Sequence, residues 1–111
     1  MNDLDLKEII ENLIDTFLHA GKVSLDLREK GLKKEIKADN TPVSNGDLEV
    51  NRIITKKLLE LTPDIPIVSE ETSHNKASNN LENFWLVDPI DGTYDYINNL
   101  EEFTLNAGLI I

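Results

Sequence analysis

Two aspartates three positions apart close an apolar run in the stretch Phe84-Trp85-Leu86-Val87-Asp88-Pro89-Ile90-Asp91-Gly92-Thr93. The aromatic and β-branched residues of that run predict a buried strand. Pro89 fixes its own φ and drives Asp88 into an extended conformation, so the strand is expected to stop there and the chain to turn, with both carboxylates facing one side. Two carboxylates about 4 Å apart repel by roughly 4 kcal/mol at an effective dielectric of about 20, so a turn holding them together favours a cation. Oxygen-only ligands suit Mg2+. Gly92 leaves room for a ligand or another backbone, and Thr93 is expected to open a helix through Ile97 whose free N–H groups attract an anion. The chemistry within reach is a metal-bridged phosphate. An ordinary turn carrying two solvated aspartates fits the same residues, because Asp-Pro and Asp-Gly are common turn formers.

The elements that must position this turn come earlier in the chain. Apolar residues from Leu4 to Leu27 recur at helical spacing with Glu8, Glu11, Asn12 and Asp15 between them, which predicts a long amphipathic helix over residues 3–29, bent or broken near Gly21 and stopped at Gly31. Residues 32–37 read as a short exposed strand, and 38–46 as a turn-rich loop. Ser44-Asn45-Gly46-Asp47 has the pattern of a helix N-cap with an acid three residues later, and Val50, Ile53, Ile54, Leu58 and Leu61 follow at helical intervals. A second helix of about fifteen residues is expected there, with Asp47 stabilising its start. Thr62-Pro63-Asp64 ends it. Residues 65–69 read as a strand delivering Glu70 and Glu71, and 73–80 as a polar surface loop that contains His74. Neither His74 nor His19 has metal-ligand spacing. Residues 104–111 read as a final strand with no polar stop, as if the chain were cut, and a chain ending there would leave an apolar sheet face and strand edges exposed.

Composition narrows the function further. At 111 residues the chain is one domain at most, and it has no cysteine for a disulfide or thiolate metal site. No stretch is long and apolar enough for a membrane span, and the start lacks a signal-peptide pattern, so a cytoplasmic protein is expected. Twenty-one acidic against eleven basic side chains give a formal charge of −10, which argues against nucleic acid or an anionic membrane as partner. A small phosphorylated substrate would need local positive potential from metal and helix N-termini. A calcium EF-hand is poorly supported, because Pro89 and the lack of alternating oxygen ligands over a twelve-residue loop contradict its pattern.

Trp85 through Asn98, with its Asp-Pro-Ile-Asp-Gly-Thr core followed by Tyr96 and Asn98, resembles the first signature of the inositol monophosphatase superfamily. Asp47 in Thr-Pro-Val-Ser-Asn-Gly-Asp, Ser69-Glu70-Glu71 and Glu102-Phe103-Thr104-Leu105-Asn106 extend the resemblance over nearly the whole chain. Thr62 through Glu71 and the Glu-Phe-Thr run are most similar to the CysQ-type 3'(2'),5'-bisphosphate nucleotidases, although Tyr94-Asp95 stands where those enzymes usually have Lys-Glu. The resemblance implies an α/β fold, a layered α+β sandwich of the sugar-phosphatase kind, in which N-terminal helices pack on the start of a large, mainly antiparallel sheet. Members are longer than this chain and carry a further metal-binding aspartate in a Trp-Asp motif absent here, so residues 1–111 are expected to be the N-terminal portion of one such domain, with an incomplete site and little activity alone.

The resemblance also implies roles. Glu70 and Asp88, with the backbone carbonyl of Ile90, would hold one Mg2+. Asp88 and Asp91 would hold a second. Asp91, Gly92 and Thr93 would line the substrate phosphate, and the Thr93 hydroxyl, oriented by Asp47, would position the attacking water, with Glu70 also part of the catalytic set. The implied reaction is hydrolysis of a phosphomonoester by metal-activated water, with adenosine 3',5'-bisphosphate as the expected substrate. An inositol or sugar phosphatase is the alternative enzyme, and a non-catalytic acidic module binding a metal or a partner chain is the alternative of another class.

Overall fold

The computed structural model describes residues 3–37, 42–69, 83–98, 100 and 103–110. The elements in chain order are α1 (Asp3–Lys30), β1 (Lys34–Ile36), β2 (Pro42–Ser44), α2 (Asn45–Leu61), β3 (Ile67–Ser69), β4 (Phe84–Asp91), α3 (Thr93–Ile97) and β5 (Thr104–Ile110). β1 and β2 form an antiparallel ribbon, while β4 lies between a parallel β3 and an antiparallel β5. This is the expected α/β class, with α1 and α2 packed together and α2 seated on β3 and β4.

The core follows from the two helical stripes. Val50, Ile54 and Leu58 recur every four residues on α2 and are fully buried, meeting Ile9, Leu13 and Ala20 of α1 and Ile67, Trp85, Val87 and Ile90 of the sheet. Each such aliphatic side chain contributes roughly 1.5–3 kcal/mol by leaving water. The Trp85 ring is buried, and its Nε1 donates to Thr62 Oγ1 at 2.9 Å, whose own hydroxyl donates to Leu58 O at 2.8 Å. One threonine thus closes the C-terminus of α2 and satisfies the indole of the central strand.

Three expectations are corrected. α1 runs unbroken through Gly21, because packing of the helix on either side outweighs the roughly 1 kcal/mol a helical glycine costs. It ends as expected at Gly31, whose φ of 93° is the left-handed conformation of a helix stop. Residues 42–44, read as loop, pair as a strand with residues 34–36. β4 does not stop at Asp88 but continues to Asp91, for a reason that lies at the site. The helix after it opens at Thr93 and runs to Ile97 as expected, with Gly92 as its N-cap. Among the described residues no helix is long and apolar enough to cross a membrane.

Candidate active site

A strand with period-two alternation puts residues three apart on opposite faces, which would separate Asp88 from Asp91. The register of β4 on β5 resolves this. Asp88 is opposite Asn106 and Asp91 opposite Thr104, so three steps on β4 match two on β5 and one extra residue is inserted between the aspartates. Exposure follows the bulge: Trp85, Val87, Pro89 and Ile90 are buried, while Leu86 and Asp91 are exposed and Asp88 is half-buried. Both aspartates therefore lie on the open face of β4. Pro89 sits in the bulge, where no ladder hydrogen bond is asked of it, and so it is tolerated inside a strand.

Gly92 follows with φ 88° and ψ 42°, the left-handed geometry that lets the chain leave the strand and enter α3 at once. As N-cap it provides no side-chain hydrogen bond to the helix. The Thr93 hydroxyl is turned elsewhere, 2.8 Å from Asp47 Oδ1 and 3.1 Å from the carbonyl of Ile90. It carries one proton, and the shorter contact to a carboxyl oxygen takes it, leaving the lone pairs of Oγ1 for another donor.

Asp47 is brought to Thr93 by the start of α2. Ser44 ends β2 in extended geometry and caps the helix, accepting from the Asp47 N–H at 3.3 Å, while Asp47 Oδ2 accepts from the Ser44 N–H at 2.9 Å and the Ser44 hydroxyl at 2.5 Å. The carboxyl group is completely buried, and three donors meet it: two on Oδ2 from the capping box, one on Oδ1 from Thr93. Without them burial of the group would be costly. The helix-start role expected for Asp47 and the contact with Thr93 are thus both present, one for each oxygen. Asn45 fixes the same turn to β1, donating its N–H to the Lys33 carbonyl at 3.0 Å and accepting the Lys33 N–H at 2.9 Å.

Tyr96, named in the sequence only as an aromatic position of the motif and given no role there, completes the surroundings. Three residues after Thr93 on α3, it is fully buried, and its hydroxyl donates to Ser24 O of α1 at 2.7 Å. Its ring meets Phe103 edge-on at 4.9 Å, and the Arg28 guanidinium lies 5.7 Å above it. Burial, reinforced by the charge of Asp47 and partly offset by Arg28, pushes the phenol up to about 12. Helical i, i+3 spacing from Thr93 was the available signal.

Asp88, Asp91 and the Ile90 carbonyl form an oxygen-only donor set, which fits a hard divalent cation. Glu70, expected as a further ligand and catalytic group, lies outside the described residues, as do Glu71, His74 and Glu102. Among the described residues no three His, Asp or Glu side chains converge. β3 and β4 run parallel with Ser69 level with Val87, so both strands point their carboxyl ends the same way, the end where ligands bind in α/β sheets. His19 is exposed on α1.

The structure is an α/β layered fold with a carboxylate-bearing bulge at the carboxyl end of its central strand. Comparison with known proteins identifies the family. The inositol monophosphatase family model matches residues 5–111, and the chain belongs to that family. It is 38% identical over 93 residues to the 3'(2'),5'-bisphosphate nucleotidase CysQ of Haemophilus influenzae, covering 82% of this chain and 35% of that protein. With CysQ of Buchnera aphidicola it shares 43% identity over 83 residues, 74% of this chain and 31% of the other. Among solved structures, the inositol monophosphatase of Thermotoga maritima superposes with a TM-score of 0.77 at 24% identity, over 91% of this chain and 39% of that one. The SuhB protein of Bartonella henselae gives 0.78 at 22%, over 93% and 40%. A further structure with the fold, an IMPase/NADP phosphatase, is a complex with Mg2+ and phosphate. The chain thus spans little more than a third of the proteins it matches.

Proposed function

We propose that the chain carries the metal- and phosphate-binding part of a Mg2+-dependent phosphomonoester hydrolase, of the 3'(2'),5'-bisphosphate nucleotidase type, acting on adenosine 3',5'-bisphosphate. The carrying observation is the β4 bulge, which sets Asp88 and Asp91 on one open face with the Ile90 carbonyl between them and the Asp47–Thr93 pair beside them.

In this reading Asp88, Asp91 and the Ile90 carbonyl, with Glu70, would hold Mg2+. When bound there, the cation would offset phosphoryl charge and make a water nucleophilic at neutral pH. The rest is done by the protein. Thr93 donates its hydroxyl hydrogen bond to Asp47, so its oxygen is left to accept one from a water and to aim it. Asp47 has no freedom to turn away, since Ser44 holds its other oxygen. The left-handed Gly92 carries no side chain, so the backbone after Asp91 stays open to the close approach of a phosphate.

The substrate choice rests on the nucleotidase relatives. It is tested by placing residues 5–111 into the matched region of the Haemophilus protein and measuring phosphate release with Mg2+. Hydrolysis of adenosine 3',5'-bisphosphate in preference to inositol 1-phosphate supports the nucleotidase; the opposite preference selects an inositol phosphatase. Mg2+ binding without hydrolysis of either returns the chain to a non-catalytic metal-binding module.

A further inference from the structure

Tyr96 touches both α1 and α2, and α2 is the helix that presents Asp47 to the Thr93 hydroxyl. Thr93 and Tyr96 share the five-residue α3, which has too few hydrogen bonds to hold its own orientation. Tyr96 supplies what the helix lacks. Its hydroxyl is fixed to Ser24 O of α1, and its ring end lies against Gly46, the residue before Asp47 in the first turn of α2. The approach is so close that a Cβ at Gly46 would come within 2.7 Å of the ring carbons Cε2 and Cζ, nearer still to the hydroxyl oxygen. The absence of a side chain at Gly46 is what lets α3 dock on the turn that presents Asp47.

We propose that Tyr96, seated on Gly46 and anchored to the Ser24 carbonyl, is the positioning residue that sets the Thr93–Asp47 hydrogen bond. This rests on the reading of Thr93 and Asp47 as the pair that aims the attacking water. Tyr96 touches no reacting atom in that reading. It acts by fixing α3 against α2, so that a displacement at the ring is passed to Oγ1 of Thr93 three residues away. Misplacement by about 1 Å at a reacting group costs on the order of 100-fold in rate, which makes such a docking contact consequential without any chemistry of its own.

The test uses the full chain and its Thr93 side chain as reporter, read by the NMR methyl shift and the χ1 couplings. Gly46→Ala is expected to shift the methyl resonance and average the couplings among rotamers, while the Trp85 indole signal of the core stays in place. Tyr96→Phe, which removes only the bond to Ser24, is expected to give a smaller change of the same kind. Because Gly46→Ala clashes most closely with the hydroxyl, the pair Gly46→Ala/Tyr96→Phe is expected to recover part of the native signal, a non-additivity that general destabilisation would not produce. If Gly46→Ala fails to fold, Tyr96→Phe alone decides. Where phosphate release is measured, Tyr96→Phe is expected to lower kcat roughly fivefold with KM unchanged. A Thr93 reporter unmoved by Tyr96→Phe, or additive effects in the pair, overturns the proposal. The reporter needs no substrate, so a chain that hydrolyses nothing would defeat the functional reading and still leave this contact decided.

Discussion

Two sets of carboxyl groups meet at the end of β4, and their surroundings are opposite. Asp47 is buried and met by three protein donors, each at hydrogen-bond distance, from Ser44 and Thr93. Asp88 and Asp91 lie on the open face of the strand, Asp91 exposed to solvent. Under the proposed function, this contrast divides the work of the site. A carboxyl group whose bonds are filled from within the fold can orient a neighbour but has little left for a ligand. An exposed carboxylate such as Asp91 has lone pairs to offer a cation, at little benefit to folding. Stability and chemistry are thereby assigned to different aspartates, and mutation should separate them.

The largest effect expected on activity is at the open pair. Asp91→Asn keeps the shape and removes the charge, and turnover in a phosphate-release assay is expected to fall on the order of 1,000-fold. Unfolding by urea should move by less than about 0.5 kcal/mol, as for an exposed position. Near-normal activity would break the comparison at its functional side. On stability the order reverses. Asp47→Ala leaves the Ser44 N–H, the Ser44 hydroxyl and the Thr93 hydroxyl without their acceptor, and is expected to cost about 3 kcal/mol in the same measurement. A loss under about 1 kcal/mol would show that the knot contributes little. Ser44→Ala removes the cap but leaves the Thr93 bond, so a smaller loss of about 1 kcal/mol is expected.

How much of this could be read from residues alone depends on the range of the interaction. The capping box is a local matter of four consecutive residues, so Ser44 and Asp47 announced the start of α2 correctly. The final strand and the exposed strand at residues 34–36 were equally legible from patterning. The bulge was not. Pro89 signals the end of a strand when only its own φ and missing N–H are considered, and what keeps the strand going is its pairing with Thr104 and Asn106, a contact between distant residues. The expectation that both aspartates share a face held, though through an inserted residue rather than a turn. Thr93 was expected to open α3 and does, while its contact with Asp47 was implied only by the family resemblance, because it joins residues far apart in the chain. Tyr96 was visible as an aromatic position in the motif, but its seat on Gly46 needs the packed fold.

Tyr96 also gives the most specific expectation. Its phenol, held up to about 12 by burial and the neighbouring Asp47 charge, stays neutral in the folded chain at pH values where an unfolded tyrosine ionises, about 10. Folding therefore holds more protons than unfolding in that window. The associated stability is fully present below about pH 10 and is lost as pH rises towards 12. The difference in unfolding free energy between the wild-type chain and Tyr96→Phe should narrow over that interval by on the order of 2 kcal/mol, while a constant difference would mean that the phenol titrates normally.

The central claim is that the bulge of β4 makes a divalent-cation site of Asp88 and Asp91. Adding substoichiometric Mn2+ to the full chain, and following which amide NMR signals broaden, tests it most directly. The account predicts that residues 88–93 broaden first, that excess Mg2+ reverses the effect, and that Asp91→Asn abolishes it. Broadening spread over the acidic face of α1, or unchanged in Asp91→Asn, would contradict it.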